Sequence, residues 1–205
     1  MRRAARQIKR RGATAKRARR SLGEGFARRQ ALEPRLTNGL AAVRILLCDV
    51  DGVLTDASVW MGGEYETKRF NIQDGLGLML LRREGLKVGW VSARTSEATT
   101  RRAKDLGVDY LCQQTGSKVE AIAAILAQAG MSWDVVCYVG DDLVDLGALQ
   151  RAGVAVAVAN AVPEVKAVAD YVTEAGGGHG AVREVAELIL KAQGRWQRLV
   201  NEQLV

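Results

Sequence analysis

The chain has 205 residues, 48% hydrophobic and 26% charged, which suits one domain around one core and argues against wholesale disorder. No uninterrupted apolar run approaches the roughly 18–20 residues of a membrane-crossing helix, so a spanning role is excluded. The formal net charge of +7 is unevenly spread: residues 1–44 hold 14 of the 30 Lys and Arg against only Glu24 and Glu33, and the remainder is mildly acidic.

In chain order, residues 1–41 read as a basic, disordered N-terminal extension preceding a domain over 42–205. Clustered arginine neutralises phosphate, so positions 2–35 suit nucleic acid or an anionic surface. A block of like charge is more usually a solvated tail that binds nothing, and an organellar transit peptide shares the Arg-rich, acid-poor signature. From Ala42 onward short apolar runs alternate with helical stretches. Strands are predicted at 43–48, 86–91, 110–112, 135–139 and 154–158, with a short sixth at 171–173, all apolar enough to be buried on both faces. Helices are predicted at 76–84, 96–106, 118–129, 142–152, 164–169 and 181–193. Gly85, Gly107, Gly130 and Gly153 stand where helix C-caps belong, and Ser117 with Glu120 forms a capping-box pattern. Residues 57–72 break the rhythm and read as a β-hairpin turning at Gly62-Gly63. The alternation implies an α/β fold, a doubly wound parallel sheet with a small hairpin flap. Cys48, Cys112 and Cys137 are odd in number and apolar in setting, which fits buried thiols in a reducing, cytoplasmic compartment.

The chemistry concentrates after the strands. Asp49 and Asp51 follow the first one, and side chains two apart on an extended segment share a side. Carboxylates so close repel unless a proton or cation lies between them, and a hard cation such as Mg²⁺ is the natural partner. Ser92 ends the second strand, Lys118 opens the helix after the third, and Asp141, Asp142 and Asp145 follow the fourth. Taken singly, these are also a turn serine, a surface lysine and a helix cap. Ligands in open α/β sheets bind beyond the carboxyl ends of the strands, where all four elements would meet. The set contains what phosphoryl transfer needs: a carboxylate nucleophile, a second carboxylate for proton transfer, hydroxyls at Ser92 and Thr55, a cation at Lys118 and a metal site.

These four motifs resemble those of the haloacid dehalogenase-like phosphatases. The resemblance implies that Asp49 is the nucleophile and Asp51 the general acid/base, whose backbone carbonyl also binds Mg²⁺. It makes Asp141 the third metal ligand, and Thr55, Ser92 and Lys118 the phosphate-binding groups. Asp142 and Asp145 become supporting acids that orient Lys118 and metal waters. Only 36 residues separate Thr55 from Ser92, and 25 separate Ser92 from Lys118. Neither gap holds a cap domain, which needs at least about 50 residues. An open mouth calls for another lid, and a second subunit contacting the hairpin is the expected one.

A longer similarity covers roughly residues 42–195. It is carried by CDVDGVLTD, by Lys68-Arg69-Phe70-Asn71-Ile72-Gln73-Asp74-Gly75, by GDDLVDL and by Gly177-Gly178-His179-Gly180-Ala181-Val182-Arg183. These segments resemble the capless, tetrameric 3-deoxy-D-manno-octulosonate 8-phosphate phosphatase family. The likeness implies hydrolysis of that eight-carbon sugar-acid phosphate for lipopolysaccharide inner core, with Lys68, Asp74, Arg94, Gly178 and Arg183 as substrate contacts. Phosphatases of nine-carbon sialic-type acid 9-phosphates are similar in the same regions. Ala93, Ser117, Gln73 and His179 depart from the family's usual Gly, Asp, Arg and Arg, and the last two bear on which sugar acid is bound. From the residues alone, Gly176–Gly180 reads more readily as a plain strand-to-helix loop than as a ligand-binding one. Lys68 is either a substrate contact or a solvated hairpin charge. The amphipathic stretch Arg195–Val205 is expected to reach a neighbouring subunit. Two other classes compete: a receiver-like module that accepts phosphate without turnover, which Asp51 argues against, and a nucleic-acid-binding protein acting through the basic extension.

Overall fold

A computed structural model describes residues 32–62, 65–114 and 116–204. The expectations placed on residues 1–31, and on Gly63 at the hairpin tip, fall outside the described residues. A six-stranded parallel sheet forms the core. It comprises β1 (Ile45–Cys48), β4 (Lys87–Ser92), β5 (Tyr110–Gln113), β6 (Val136–Gly140), β7 (Val154–Ala157) and β8 (Tyr171–Val172), in the order β5-β4-β1-β6-β7-β8. The separate hairpin pairs β2 (Trp60–Gly62) with β3 (Tyr65–Thr67) in antiparallel register, Gly62 opposite Tyr65. β1, β6 and β7 are buried at every position, as parallel strands covered on both faces must be.

Helices cover the sheet in two groups. α1 (Pro34–Ala42) and α2 (Ile72–Arg83) both pack on α7 (Ala181–Ala192). α4 (Lys118–Ala129), α5 (Leu146–Leu149) and α6 (Pro163–Val168) form a second contiguous set, while α3 (Glu97–Leu106) touches α2 and the short α8 (Trp196–Glu202) touches α7. Between the catalytic-type motifs the chain is consumed by the hairpin, α2 and β4, and then by α3 and β5, which leaves no length for a cap.

Several boundaries move. The folded body begins before Ala42, because α1 packs on α7 and buries Leu40. α2 begins at Ile72, four residues before the expected start, because the Asn71 side chain accepts from the Gln73 amide and caps it. The stretch expected as one helix over 142–152 is instead a 3₁₀ turn (Leu143–Asp145) followed by α5. Asp142 and Asp145 close a reciprocal capping box there, and Asp145 is drawn inward. Gly107 and Gly130 cap α3 and α4 in left-handed geometry as expected. Gly153 does not cap a helix; a Cβ there would lie 2.0 Å from the Asp134 carbonyl oxygen.

Trp90 is buried in β4 and stacks on Phe70, ring centroids 6.1 Å apart, which seats the segment entering α2 against the sheet. Cys48 and Cys137 are buried, Cys112 is half-buried, and all three are free thiols. α8 docks on its own chain: Arg198 lies 2.5 Å from Glu84, and Arg83 lies 2.5 Å from Glu202.

Candidate active site

The chain runs outward from β1 to β4 and β5, then returns to lay β6 on the other side of β1. Strand order reverses at β1, and the carboxyl ends of β4, β1 and β6 lie side by side, the position at which open α/β sheets bind ligands. Cys48 is level with both Trp90 and Val139, and the Asp49 amide donates to the Val139 carbonyl at 3.0 Å. Asp49, Ser92 and Asp141 therefore leave three adjacent strands at the same end.

Lys118, in the first turn of α4, reaches into this end. Its Nζ lies 2.9 Å from Asp49 Oδ2 and 2.6 Å from Asp145 Oδ1. Asp145 is fully buried and fully partnered. Tyr138 donates its hydroxyl to Oδ1 at 2.6 Å, and the amides of Asp141 and Asp142 donate to Oδ2 at 3.0 and 3.2 Å. The amide of Val50 donates to Asp49 Oδ1 at 2.7 Å. Burial works against the charge of Lys118, yet Asp49 and Asp145 hold its ammonium above the ordinary lysine range.

Asp49, Asp141 and Asp145 each present an oxygen within 4.8 Å of the others. Burial raises Asp49 to about 6 against the pull of Lys118, with the charge of Asp145 adding to the rise. Burial and the charges of Asp49 and Asp145 raise Asp141 to about 7. Asp141 Oδ1 is buried without a hydrogen-bond partner. Because Asp145 is already saturated, the oxygens with capacity to spare belong to Asp49 and Asp141. A hard divalent cation fits such a donor set, since it answers both the orphaned oxygen and the like-charge strain. The side chain of Asp51 lies outside this cluster, both its oxygens facing Lys68 Nζ at 2.7 and 2.9 Å; the metal contact expected of Asp51 is its backbone carbonyl.

Two glycine positions let these loops meet. Gly52 has φ +95°, and a Cβ there would fall 1.9 Å from Asp141 Oδ2. Gly178 has φ +68°, donates to the Val53 carbonyl at 3.0 Å, and would drive a Cβ to 2.6 Å from the Asp56 amide nitrogen. Neither close approach admits an L side chain in that backbone region.

The structure separates the expected residues. Asp49, Lys118, Asp141 and Asp145 converge. Ser92 is buried at the β4 exit, where its hydroxyl accepts from the Arg94 amide and donates to the Arg94 carbonyl, both at 3.1 Å. Asp142 caps the turn that positions Asp145, its side chain accepting from the Leu143 amide at 2.7 Å. Thr55, expected as a phosphate donor, is fully buried. Its Oγ1 accepts from the Gly52 and Ala57 amides and donates to the Val50 carbonyl, so the hydroxyl is consumed in shaping the loop.

The expected substrate set divides further. Asp74 is buried and accepts from the Arg183 amide at 2.7 Å through Oδ1, capping α7 from the neighbouring helix, while its Oδ2 is buried without a hydrogen-bond partner. Gly178 is packed against the catalytic loop. Arg183 is engaged by Glu187 at 2.9 Å and lies over the Trp196 ring. Arg94 pairs with Glu66 at 2.7 Å with about half its side chain exposed. His179 is exposed beside Arg69, at 3.1 Å, which in turn pairs with Asp56 at 2.8 Å. Sequence reasoning passed over Tyr138, Glu66 and Thr99. Tyr138 carried a visible signal as the one hydroxyl in the apolar run of β6.

Comparison with known proteins agrees with this geometry. Residues 96–184 match the model of a haloacid dehalogenase-like hydrolase family. The 3-deoxy-D-manno-octulosonate 8-phosphate phosphatase of Escherichia coli strain K12 is 41% identical over 155 residues, 75% of this chain and 82% of that protein. A Moraxella catarrhalis 3-deoxy-D-manno-octulosonate 8-phosphate phosphatase, solved with magnesium, phosphate and the sugar acid, superposes with TM-score 0.81 at 37% identity, covering 83% of this chain and 98% of the other. The cobalt-bound phosphatase of Haemophilus influenzae gives 0.77 at 36% identity, covering 80% of this chain and 97% of the other.

Proposed function

The chain belongs to the 3-deoxy-D-manno-octulosonate 8-phosphate phosphatase family of haloacid dehalogenase-like hydrolases, and from that premise we propose that it hydrolyses this sugar-acid phosphate to the free acid and inorganic phosphate. The reaction would supply lipopolysaccharide inner core. The observation that carries the reading is the convergence of Asp49, Asp141 and Lys118 at one carboxyl end of the sheet.

Asp49 attacks phosphorus as its carboxylate; the new O–P bond forms as the bond from phosphorus to the sugar's 8-oxygen breaks. Asp51 gives its carboxyl proton to that departing oxygen. A water then adds its oxygen to the aspartyl-phosphate and yields a proton to Asp51, and the Asp49–phosphorus bond breaks to regenerate the carboxylate. Lys118 stands beside Asp49 to face the phosphoryl oxygens, and the Ser92 hydroxyl turns from the Arg94 carbonyl to donate to them. Asp145 and Tyr138 keep Lys118 in place. Asp49 and Asp141, with the backbone at Asp51, would hold Mg²⁺, which supplies charge neutralisation for the phosphoryl group. Asp49 keeps the nucleophile's role only while ionised, which the cation and Lys118 both favour.

Self-association covers the open mouth in this reading, as a homotetramer. Ile72, Leu76 and Met79 expose one apolar stripe along α2, and Trp60 and Met61 are exposed on the hairpin before it, a pattern that supports burial against further copies. Sedimentation of an Ile72→Asp/Met79→Lys variant should show smaller species with reduced turnover; full activity in a monomer would refute the lid. The cytoplasm suits the free thiols, and among the described residues no helix is long and apolar enough to cross a membrane. A phosphate-release screen against the eight-carbon 8-phosphate and nine-carbon 9-phosphate acids tests the substrate. Asp49→Asn should abolish release while leaving the fold intact, and surviving release would sink the mechanism.

A further inference from the structure

We infer that Lys68 is a positioning residue for Asp51, through which the hairpin sets proton transfer to the leaving oxygen; this rests on the phosphatase reading above. Lys68 directly follows β3, yet its side chain is wholly shielded from solvent. Its ammonium meets both oxygens of Asp51, at 2.7 and 2.9 Å, lies 3.3 Å from Thr99 Oγ1 on α3, and lies 3.6 Å from Glu66 Oε1. Glu66 stands two residues earlier on the same side of the hairpin, and its other oxygen holds Arg94 at the β4 exit. Three separate elements therefore fix one point charge: the loop after β1, the hairpin and the first turn of α3.

The arrangement is not explained by stability. A buried ion pair does no better, and often worse, than apolar side chains of equal volume. Asp51 differs from its neighbours in how it is aimed. Asp49 and Asp145 are held by backbone amides as well as by Lys118, whereas the Asp51 carboxylate is held by Lys68. A compact ammonium with several donors can hold both carboxylate oxygens at once, and the contact with Thr99 Oγ1 fixes where that ammonium sits.

Removing the anchor should lose proton delivery before it loses binding. A leaving group that departs readily as an anion needs little protonation, whereas an alkoxide needs it fully. For Lys68→Met, kcat on the sugar-acid 8-phosphate should fall about 10–100-fold, short of the roughly 10²–10⁴-fold of a general acid removed outright because Asp51 itself remains, with KM within about threefold. On p-nitrophenyl phosphate the same variant should lose less than about threefold, since a phenolate with an acidic conjugate acid departs unaided. Thr99→Val should show the same selectivity with a smaller fall, and it decides the matter if Lys68→Met does not fold. Equal losses on both substrates, or none on either, would overturn the inference while leaving the phosphatase reading standing. A wild-type protein releasing phosphate from neither substrate would overturn the phosphatase reading itself.

Discussion

Gly52→Ala tests the geometry of the site most directly, because the change adds one carbon and no chemistry. At φ +95° the new side chain sits in backbone space that costs an L residue about 1–3 kcal/mol. Its Cβ would also fall 1.9 Å from Asp141 Oδ2, inside the 3.0 Å that Cβ contacts respect. Either Asp141 withdraws or the loop carrying Asp49 and Asp51 does, by about 1 Å, a displacement that costs on the order of 100-fold when reacting groups are misplaced. Phosphate release measured across a magnesium titration should show kcat lowered by about that factor and half-saturation moved to higher magnesium. Thermal unfolding should report the smaller backbone cost separately. Wild-type kcat at an unchanged magnesium requirement would refute the claim that Asp141 and the Asp49 loop are held in contact through this glycine.

Three further outcomes are expected. Tyr138→Phe removes a 2.6 Å hydrogen bond to a charged, buried acceptor, and should cost about 1.5–3 kcal/mol in denaturant unfolding, with weaker turnover because Asp145, which pairs with Lys118, loses one of the groups that anchor it; unchanged stability would refute it. Asp74→Ala uncaps α7, whose Arg183 amide loses its 2.7 Å acceptor, and should lower stability by about 0.5–2 kcal/mol with KM unchanged; a large KM rise would restore Asp74 to the substrate contacts. Without metal, Asp49 and Asp141, raised from 3.8 to about 6 and about 7, bind protons more tightly in the fold than in the unfolded chain. Their contribution is complete below about pH 4 and lost as pH climbs through that window. Magnesium binds the ionised pair, so its effect on the melting temperature should be larger at pH 8 than at pH 5, and an equal shift at both would count against the Asp49–Asp141 site.

The order of strands and helices was legible because fully buried parallel strands must be apolar throughout, so β1, β4, β6 and β7 stand out as runs. The acids were legible for a similar reason: Asp49, Asp51, Asp141 and Asp145 each fall just past such a run. Local sequence was less informative where a distant partner decides conformation. Asp142–Ala152 has helical composition, yet Asp145 turns inward because Tyr138 and Lys118, from two other elements, await it.

The sequence by itself determined that carboxylates would gather at one end of a doubly wound sheet, since strand periodicity and chain order suffice for that. Which of the polar side chains remain free was a tertiary decision. Thr55 is taken by its own loop, Asp74 by the start of α7 and Asp51 by Lys68 arriving on the hairpin. A buried polar group must find a partner, and that partner comes from wherever the fold brings one within about 3 Å, a distance in space that no spacing along the chain encodes.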